Sequence, residues 1–299
     1  MKKGILYGIG AYALWGFFPI YWKFLHEVSA LQVIGHRIGW SFFVLMIYIL
    51  ITRQWQDFRA AAFNRKTIGM YAIAGVLLSI NWLVYVWGVN AGFIVETSLG
   101  YFINPLLSVL MGVMFLRERL RLTQWIPVVI AAIGVIYLTV VYGRLPWIAL
   151  SLALSFGLYG LVKKLAPLGS LYGLTLETGI VFPAALIYLI VMQMNGAGAF
   201  LHEGLQVDLF LFGAGIVTTI PLLMFASAAK RIPLSTVGIL QYIAPTLQFL
   251  IGVFIYKEPF DHAHLIGFGI VWVALVVFWV ENFIANRMPV EPVPELGEG

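Results

Sequence analysis

Few polar side chains interrupt the apolar stretches of this sequence, and their spacing sorts them. Ser98, Tyr101, Asn104, Pro105, Ser108 and Gly112 recur at intervals that put them on one face of a helix. Gly238, Gln241, Pro245, Gln248 and Gly252 repeat the arrangement further along. Small residues at such intervals serve close helix packing. Tyr101, Asn104, Gln241 and Gln248 are not small, and they suit the wall of a cavity. Asn81 and Tyr85 either line the same cavity or bond a neighbouring helix, and Trp15 and Tyr159 are aromatic candidates for its wall, whereas Trp22, Trp55, Trp125 and Trp147 are read as lying at the lipid interface. Pro105 and Pro245 each free a carbonyl one turn back, which permits either a gate or a static bend.

Charges inside apolar stretches are rarer and expensive, so they face a cavity or a partner. Arg37 suits a carboxylate or phosphate on a ligand, or an ion pair that only fixes helix packing. Glu96 lies at a matching depth and is the expected contact of Arg37 at the outer mouth, with Glu177 at the inner one. Glu177 and His36 are the candidates for carrying a coupling proton, and a packed histidine is the alternative for His36. Other chemistry finds no residues to carry it. The chain has no cysteine and no Gly-x4-Gly-Lys-Ser/Thr phosphate loop. Asp261, His262 and His264 lie together without a second cluster to complete a metal site. No Ser–His–Asp set shares one depth, so no catalytic residue, metal or cofactor is expected, and the chain is not read as an enzyme.

The elements that must position these groups are membrane helices. Of 299 residues, 62% are hydrophobic and 10% charged, well below the ~25% charge of a soluble domain. The apolar blocks are about 20 residues long, enough to cross a ~30 Å hydrocarbon core. They do not alternate apolar with polar, which excludes barrel strands. Ten spans are predicted, at 4–24, 30–52, 68–89, 94–116, 123–142, 146–163, 170–194, 208–229, 233–256 and 263–284. With the N-terminus in the cytoplasm, fourteen Lys and Arg fall on the cytoplasmic side and three outside, so both termini are placed in the cytoplasm. The basic residues are scattered over loops that meet lipid headgroups and form no face for nucleic acid. The Pro- and Glu-rich tail at 287–299 is read as disordered.

The chain also repeats itself. A gapless shift of 140 residues pairs Pro105 with Pro245, Gly112 with Gly252, Glu118 with Glu258, Gly75 with Gly215, Phe42 with Phe182 and Lys23 with Lys163. The sequence therefore divides into two five-span units, 1–142 and 143–286. Five is odd, so the second unit enters the membrane upside down. Inverted repeats build many secondary transporters, with a substrate site near midplane between the halves. Glu118 and Glu258 are expected to bond the start of the span that follows each.

At the paired segments the chain resembles the EamA branch of the drug/metabolite transporter superfamily. The resemblance rests on Pro105…Gly112…Glu118 followed by WIPVVIAAIGVIYL, and Pro245…Gly252…Glu258 followed by LIGFGIVWVALVVF. The second copy departs from the usual Gly-Glu by reading Lys257-Glu258-Pro259. The strings YGIGAYALWGFFPIYWK, HRIGWS, NWLVYVWGVN, ETSLGYFINPLLSVLMG and LQYIAPTLQF are similar to RarD-type permeases. The resemblance runs from Gly4 to about Phe283. It implies a ten-helix inner-membrane carrier moving metabolites or drugs by alternating access, in a branch whose members carry amino acids, sugar nucleotides or amphipathic compounds. The expectation is a secondary transporter of a small organic molecule, with membrane lipid as its other partner. A flippase for lipid or a lipid-linked intermediate, and a non-transporting membrane subunit, are the rival readings. No oligomeric state follows from the sequence.

Overall fold

Lipid offers the backbone no hydrogen-bond partner, so an apolar block this long satisfies its own amides by coiling. A computed structural model describes residues 2–91, 93–143, 147–256 and 262–285, and among these all regular structure is helical. The first crossing is α1 (Lys2–Gly16), α2 (Phe18–Trp22) and a short 3-10 turn. Then follow α3 (Ala30–Ile51), α4 (Trp55–Ala62), α5 (Arg65–Asn90), α6 (Ile94–Leu116), α7 (Leu122–Tyr142), α8 (Trp147–Leu165), α9 (Ser170–Met194) and α10 (Leu205–Arg231). The ninth crossing is divided into α11 (Leu234–Leu240), α12 (Ile243–Leu250) and a π-helical turn at Ile251–Ile255, and α13 (His262–Ala285) is the last. Among the described residues nine crossings have the length and apolarity of a membrane span; the apolar stretch of the tenth, Leu265–Glu281 of α13, is shorter. The side chains they turn outward, such as Leu6, Ile51 and Val140, are apolar and exposed. Helix α4 was not expected. It buries Phe58 and Ala62 in a cluster with Leu176 of α9. The tail at 287–299, Lys257, Glu258, Pro259 and Asp261 lie outside the described residues.

The repeat is written into the helix boundaries. Helices α3 and α9 start at Ala30 and Ser170, and α5 and α10 at Arg65 and Leu205. The same offset separates the starts of α6 and α11, Ile94 and Leu234, and of α7 and α13, Leu122 and His262. Contacts between elements exchange in the same way. Where α1 packs on α10, α8 packs on α5; where α3 packs on α10, α9 packs on α5; where α6 packs on α8, α12 packs on α1.

The two halves are upside down relative to each other. Gly35 lies against Leu189, Gly39 against Phe182 and Gly179 against Phe42, so α3 and its counterpart α9 run antiparallel. Gly134 meets Ile270 while Gly267 meets Leu138, so α7 and α13 do the same. Gly238 touches the Pro105 carbonyl and Ser108, while Gly112 touches the Ser235 amide, so α6 and α11 are antiparallel as well. Three pairs of equivalent helices thus cross the pseudo-twofold axis head to tail. The face of the bundle where α1 begins is called the N-terminal face below.

The Pro–Gly–Glu motif explains one of these crossings. After α6, Arg117 adopts a left-handed conformation (φ 54°) and the chain turns back, with the Glu118 amide donating to the Gly112 carbonyl at 3.0 Å. The Glu118 carboxylate does not reach the next span, as the sequence suggested. It accepts from the Leu234 amide (2.6 Å), the Ser235 amide (2.9 Å) and the Ser235 hydroxyl (2.7 Å), capping α11 in the other half. An anion at a helix N-terminus meets unpaired amides and the positive end of the dipole. Gly112 is needed because a Cβ there would stand 2.6 Å from Glu118 Oε2.

Glu118→Ala leaves orphan amides at the start of α11, at a cost of about 1–3 kcal/mol each, and Gly112→Leu displaces the same carboxylate. Both variants should melt well below the parent in detergent, with Glu118→Gln intermediate. A parent-like melting curve for Glu118→Ala would contradict the capping role.

Candidate functional site

A cavity of about 280 Å³ lies between the two halves, lined by residues of α1, α2, α3, α5, α6, α8, α10 and the ninth crossing. Its wall runs from Tyr12 to Trp22 along the first crossing, about 15 Å at helical rise. It extends from the middle of the bundle toward the face opposite the N-terminus, where Tyr85 is 37% exposed. Arg37, Asn81, Tyr85, Tyr101, Asn104, Gln241, Gln248, Trp15 and Pro245, all singled out from the sequence, line this one space.

Two helix breaks shape it. The first crossing interrupts at Phe17, between α1 and α2, and Pro19 follows in the first turn of α2. Proline has no amide proton, so the Trp15 carbonyl four residues back loses its usual donor. The Gln248 side chain takes that place, donating from Nε2 at 3.0 Å. The ninth crossing breaks at Gln241–Tyr242, one turn before Pro245. There the freed Gln241 carbonyl accepts from the Ala244 amide at 3.2 Å, in a tighter turn. Pro105, by contrast, sits inside an unbroken α6 and faces a small apolar pocket with Pro127 and Tyr242 rather than the cavity.

The polar groups divide by function. Arg37 donates from Nε to Thr218 Oγ1 at 2.9 Å, and its guanidinium lies over the rings of Trp82 (4.3 Å) and Trp22 (4.8 Å). Among the described residues no carboxylate pairs with it, and the side chain of Glu96 lies outside them. A guanidinium pinned at Nε and faced by aromatic rings presents its terminal amino groups in a fixed plane, the geometry that receives a carboxylate or phosphate. Asn81 spends its amide protons on the Leu152 carbonyl (2.9 Å) and Ser155 Oγ (3.1 Å), so it both lines the cavity and ties α5 to α8. Gln241 Nε2 donates to Ser108 Oγ at 3.2 Å. Deeper in, among the described residues, Asn104 Oδ1 and Gln241 Oε1 are buried without a hydrogen-bond partner, and Gln241 lies beside the Tyr12 hydroxyl. Such orphan acceptors are rare unless a ligand or water meets them. The cavity thus offers a cation at one level and buried acceptors at another.

Below the cavity, toward the N-terminal face, the bundle is packed shut. Tyr12, Phe156 and Tyr159 surround Phe225; Tyr159 stacks on it at 5.8 Å, and its hydroxyl faces Glu177. Tyr159 therefore belongs to a plug behind the wall and does not line the cavity. Beneath it Lys163 Nζ meets Glu177 Oε2 at 2.6 Å, each side chain 2% exposed, with the ammonium 5.2 Å from the Tyr71 ring and 5.6 Å from that of Tyr159. Glu177 is buried in this pair and is not open at a mouth. Lys164 donates to the Ile232 carbonyl (2.5 Å) and Lys230 to that of Ala166, tying the same end. A crevice of about 20 Å³, enough for a water, touches both Glu177 and Arg37, which do not contact each other. His36 is buried against Phe200, ring centroids 5.2 Å apart, away from the cavity.

Sequence reasoning missed Trp82, Phe18 and Phe156 in the wall and assigned Trp22 to the lipid interface, whereas it packs on Arg37. Trp82 stood beside Asn81 and was visible; Trp22 depended on the break at Phe17, which bends the end of the first crossing over the cavity. Lys163 was noted only as the repeat partner of Lys23. Its 14-residue separation from Glu177 across a tight turn was the available signal. Among the described residues no cluster of His, Asp and Glu suits a metal.

An inverted-repeat bundle closed at one end, with an aromatic-walled cavity carrying a few polar groups between its halves, defines a multi-pass membrane transporter. The EamA-like transporter family matches this chain twice, over residues 2–140 and 145–280, and the chain belongs to that family. It is 49% identical to the "Uncharacterized transporter YojE" of Bacillus subtilis, over 93% of each chain. It is 40% identical to "Protein RarD" of Escherichia coli, over 96% of this chain and 97% of that one. A crystal structure with 18% identity shares the fold, with a TM-score of 0.70 over 95% of this chain and 99% of that chain.

Removing one partner of a buried ion pair leaves an uncompensated charge and costs about 3–5 kcal/mol, whereas removing both is milder. Lys163→Met should therefore lower the melting temperature sharply, and Lys163→Met with Glu177→Leu should recover most of the loss. Additive losses in the double variant would mean the two charges are not coupled.

Proposed function

We propose that this protein is a secondary transporter that carries a small organic molecule with an anionic group across the bacterial cytoplasmic membrane by alternating access. Both termini lie in the cytoplasm in this reading, and the units 1–142 and 143–286 rock against each other. The cavity then opens outward while the plug of Tyr12, Tyr159 and Phe225 and the Lys163–Glu177 pair close the cytoplasmic side. The observation that carries the proposal is a space between inverted halves that is walled on one side of midplane and packed solid on the other. The same helices, exchanging roles, can present it to the other side.

Arg37 receives the ligand's carboxylate or phosphate, held in plane by Thr218, Trp22 and Trp82. Asn104 Oδ1 and Gln241 Oε1 accept from donors on the same ligand, and Trp15, Tyr85 and Tyr101 cover its apolar part. A volume of about 280 Å³ is at the small end of ligand pockets, which run ~300–1,000 Å³. That favours a metabolite-sized molecule over a lipid. Pro245 and the break beside it serve the gate, and Glu177 is a gate residue rather than a ligand contact.

A thermal-shift screen of purified protein against amino acids, nucleotides, sugars and chloramphenicol identifies the ligand, since occupancy at a hundred times Kd adds about 2.7 kcal/mol. With that ligand, Arg37→Ala should abolish uptake into proteoliposomes while the amount of protein in the membrane is unchanged. Loss of the protein itself would make Arg37 a folding residue, and undiminished uptake would remove it from the site.

A further inference from the structure

The closed end of the bundle has a twin. Lys163 and Glu177 correspond, 140 residues earlier, to Lys23 and Arg37. The turns between them have the same length, and the helices they lead into begin at the matching residues Ala30 and Ser170. When inverted halves exchange conformations, each takes the packing its twin had. Lys23 then approaches Arg37 as Lys163 now approaches Glu177. The chemistry is not the same. One lock joins an ammonium to a carboxylate; the other would press an ammonium against a guanidinium.

The remaining ties are one-sided too. Lys164 and Lys230, which hold carbonyls at the N-terminal face, have the uncharged Phe24 and Asn90 as counterparts. Lys23 is exposed, its ammonium 3.8 Å from the Tyr256 ring centroid. Among the described residues neither Lys23 nor Arg37 pairs with a carboxylate, and Glu27, in the same turn as Lys23, faces His26 at 3.7 Å. Among the described residues the second lock lacks its negative charge.

We infer that the ligand supplies it: an anionic group held by Arg37 bridges to Lys23 and is what allows the face opposite the N-terminus to close. This rests on the transporter reading and deepens it by making the ligand's anion the trigger of closure. Lys23, outside the cavity wall, becomes a residue that selects for charge. An uncharged molecule of the right shape fills the cavity without closing it. An anion bound between the two cations relieves their repulsion only in the closed arrangement, and that difference in affinity between states is what shifts the population.

The chain has no cysteine, so single reporters can be read without background. Ala244→Cys lies in the cavity wall and Ser227→Cys in the packed end. Both are labelled with a soluble maleimide on purified protein with no ligand added. The parent should label at the first position and slowly at the second. Lys23→Glu supplies the missing sign within the protein and should invert the ratio of the two rates by roughly tenfold, as should Arg37→Glu from the other side of the lock. Lys23→Gln, which removes a charge without creating a pair, should leave the ratio near that of the parent. Monodisperse elution checks folding for each variant. If Lys23→Glu labels like Lys23→Gln, or both glutamate variants label like the parent, the inference is wrong. Because no ligand enters the assay, that result is separate from a failure of uptake, which would count against the transport reading itself.

Discussion

Everything in this molecule depends on two copies of one bundle meeting head to tail in a solvent that does not push them together. Lipid is as apolar as the helices, so association must come from close packing and polar ties. The crossings between equivalent helices supply both. Glycines at 35, 39, 134, 179, 238 and 267 bring antiparallel neighbours together, and Glu118 reaches across to hold the amides of Leu234 and Ser235. The cavity exists because these contacts fix the halves at α3–α9, α6–α11 and α7–α13 while α1, α5, α8, α10 and α12 stand around the space between.

The polar chemistry is economical because burial makes each group expensive. Proline opens a carbonyl, and a side chain that also walls the cavity fills it, as Gln248 does for Trp15. Asn81 binds α8 with its protons and faces the cavity at the same time. The acceptors left over, on Asn104 and Gln241, are the ones the proposed ligand would meet. At these positions a structural tie and a place in the cavity wall belong to the same amide.

Much of this was legible in the sequence. The offset of 140 residues predicted inverted halves, and the helix starts follow it from Ala30 and Ser170 to Leu122 and His262. The polar residues on α6 and the ninth crossing pointed to one cavity because helical periodicity turns spacing into direction. What periodicity cannot give is a partner in another helix. Glu118 was assigned to the next span because sequence distance was the only distance to hand, whereas the carboxylate acts across the pseudo-twofold axis. Tyr159 looked like a wall residue because nothing in its own helix reveals that Phe225 covers it. Trp22 was mistaken for an interfacial residue because a straight first span would have carried it past the cavity. Glu177 resembled a mouth residue until Lys163, supplied by the preceding helix, placed it inside a seal.

The two breaks beside the cavity are not distributed evenly. α1 and α12 touch, run parallel and are both interrupted there, while their repeat counterparts α8 and α6 are continuous. A pair of jointed arms therefore stands on one side and a pair of stiff ones on the other, although the underlying sequence is duplicated. Under the proposed alternating access, the position of the joints would record which way the cavity opens. In the proposed exchange of states the flexure would pass to the helix that holds Pro105, whose ring already denies the Tyr101 carbonyl its donor, and α1 would straighten.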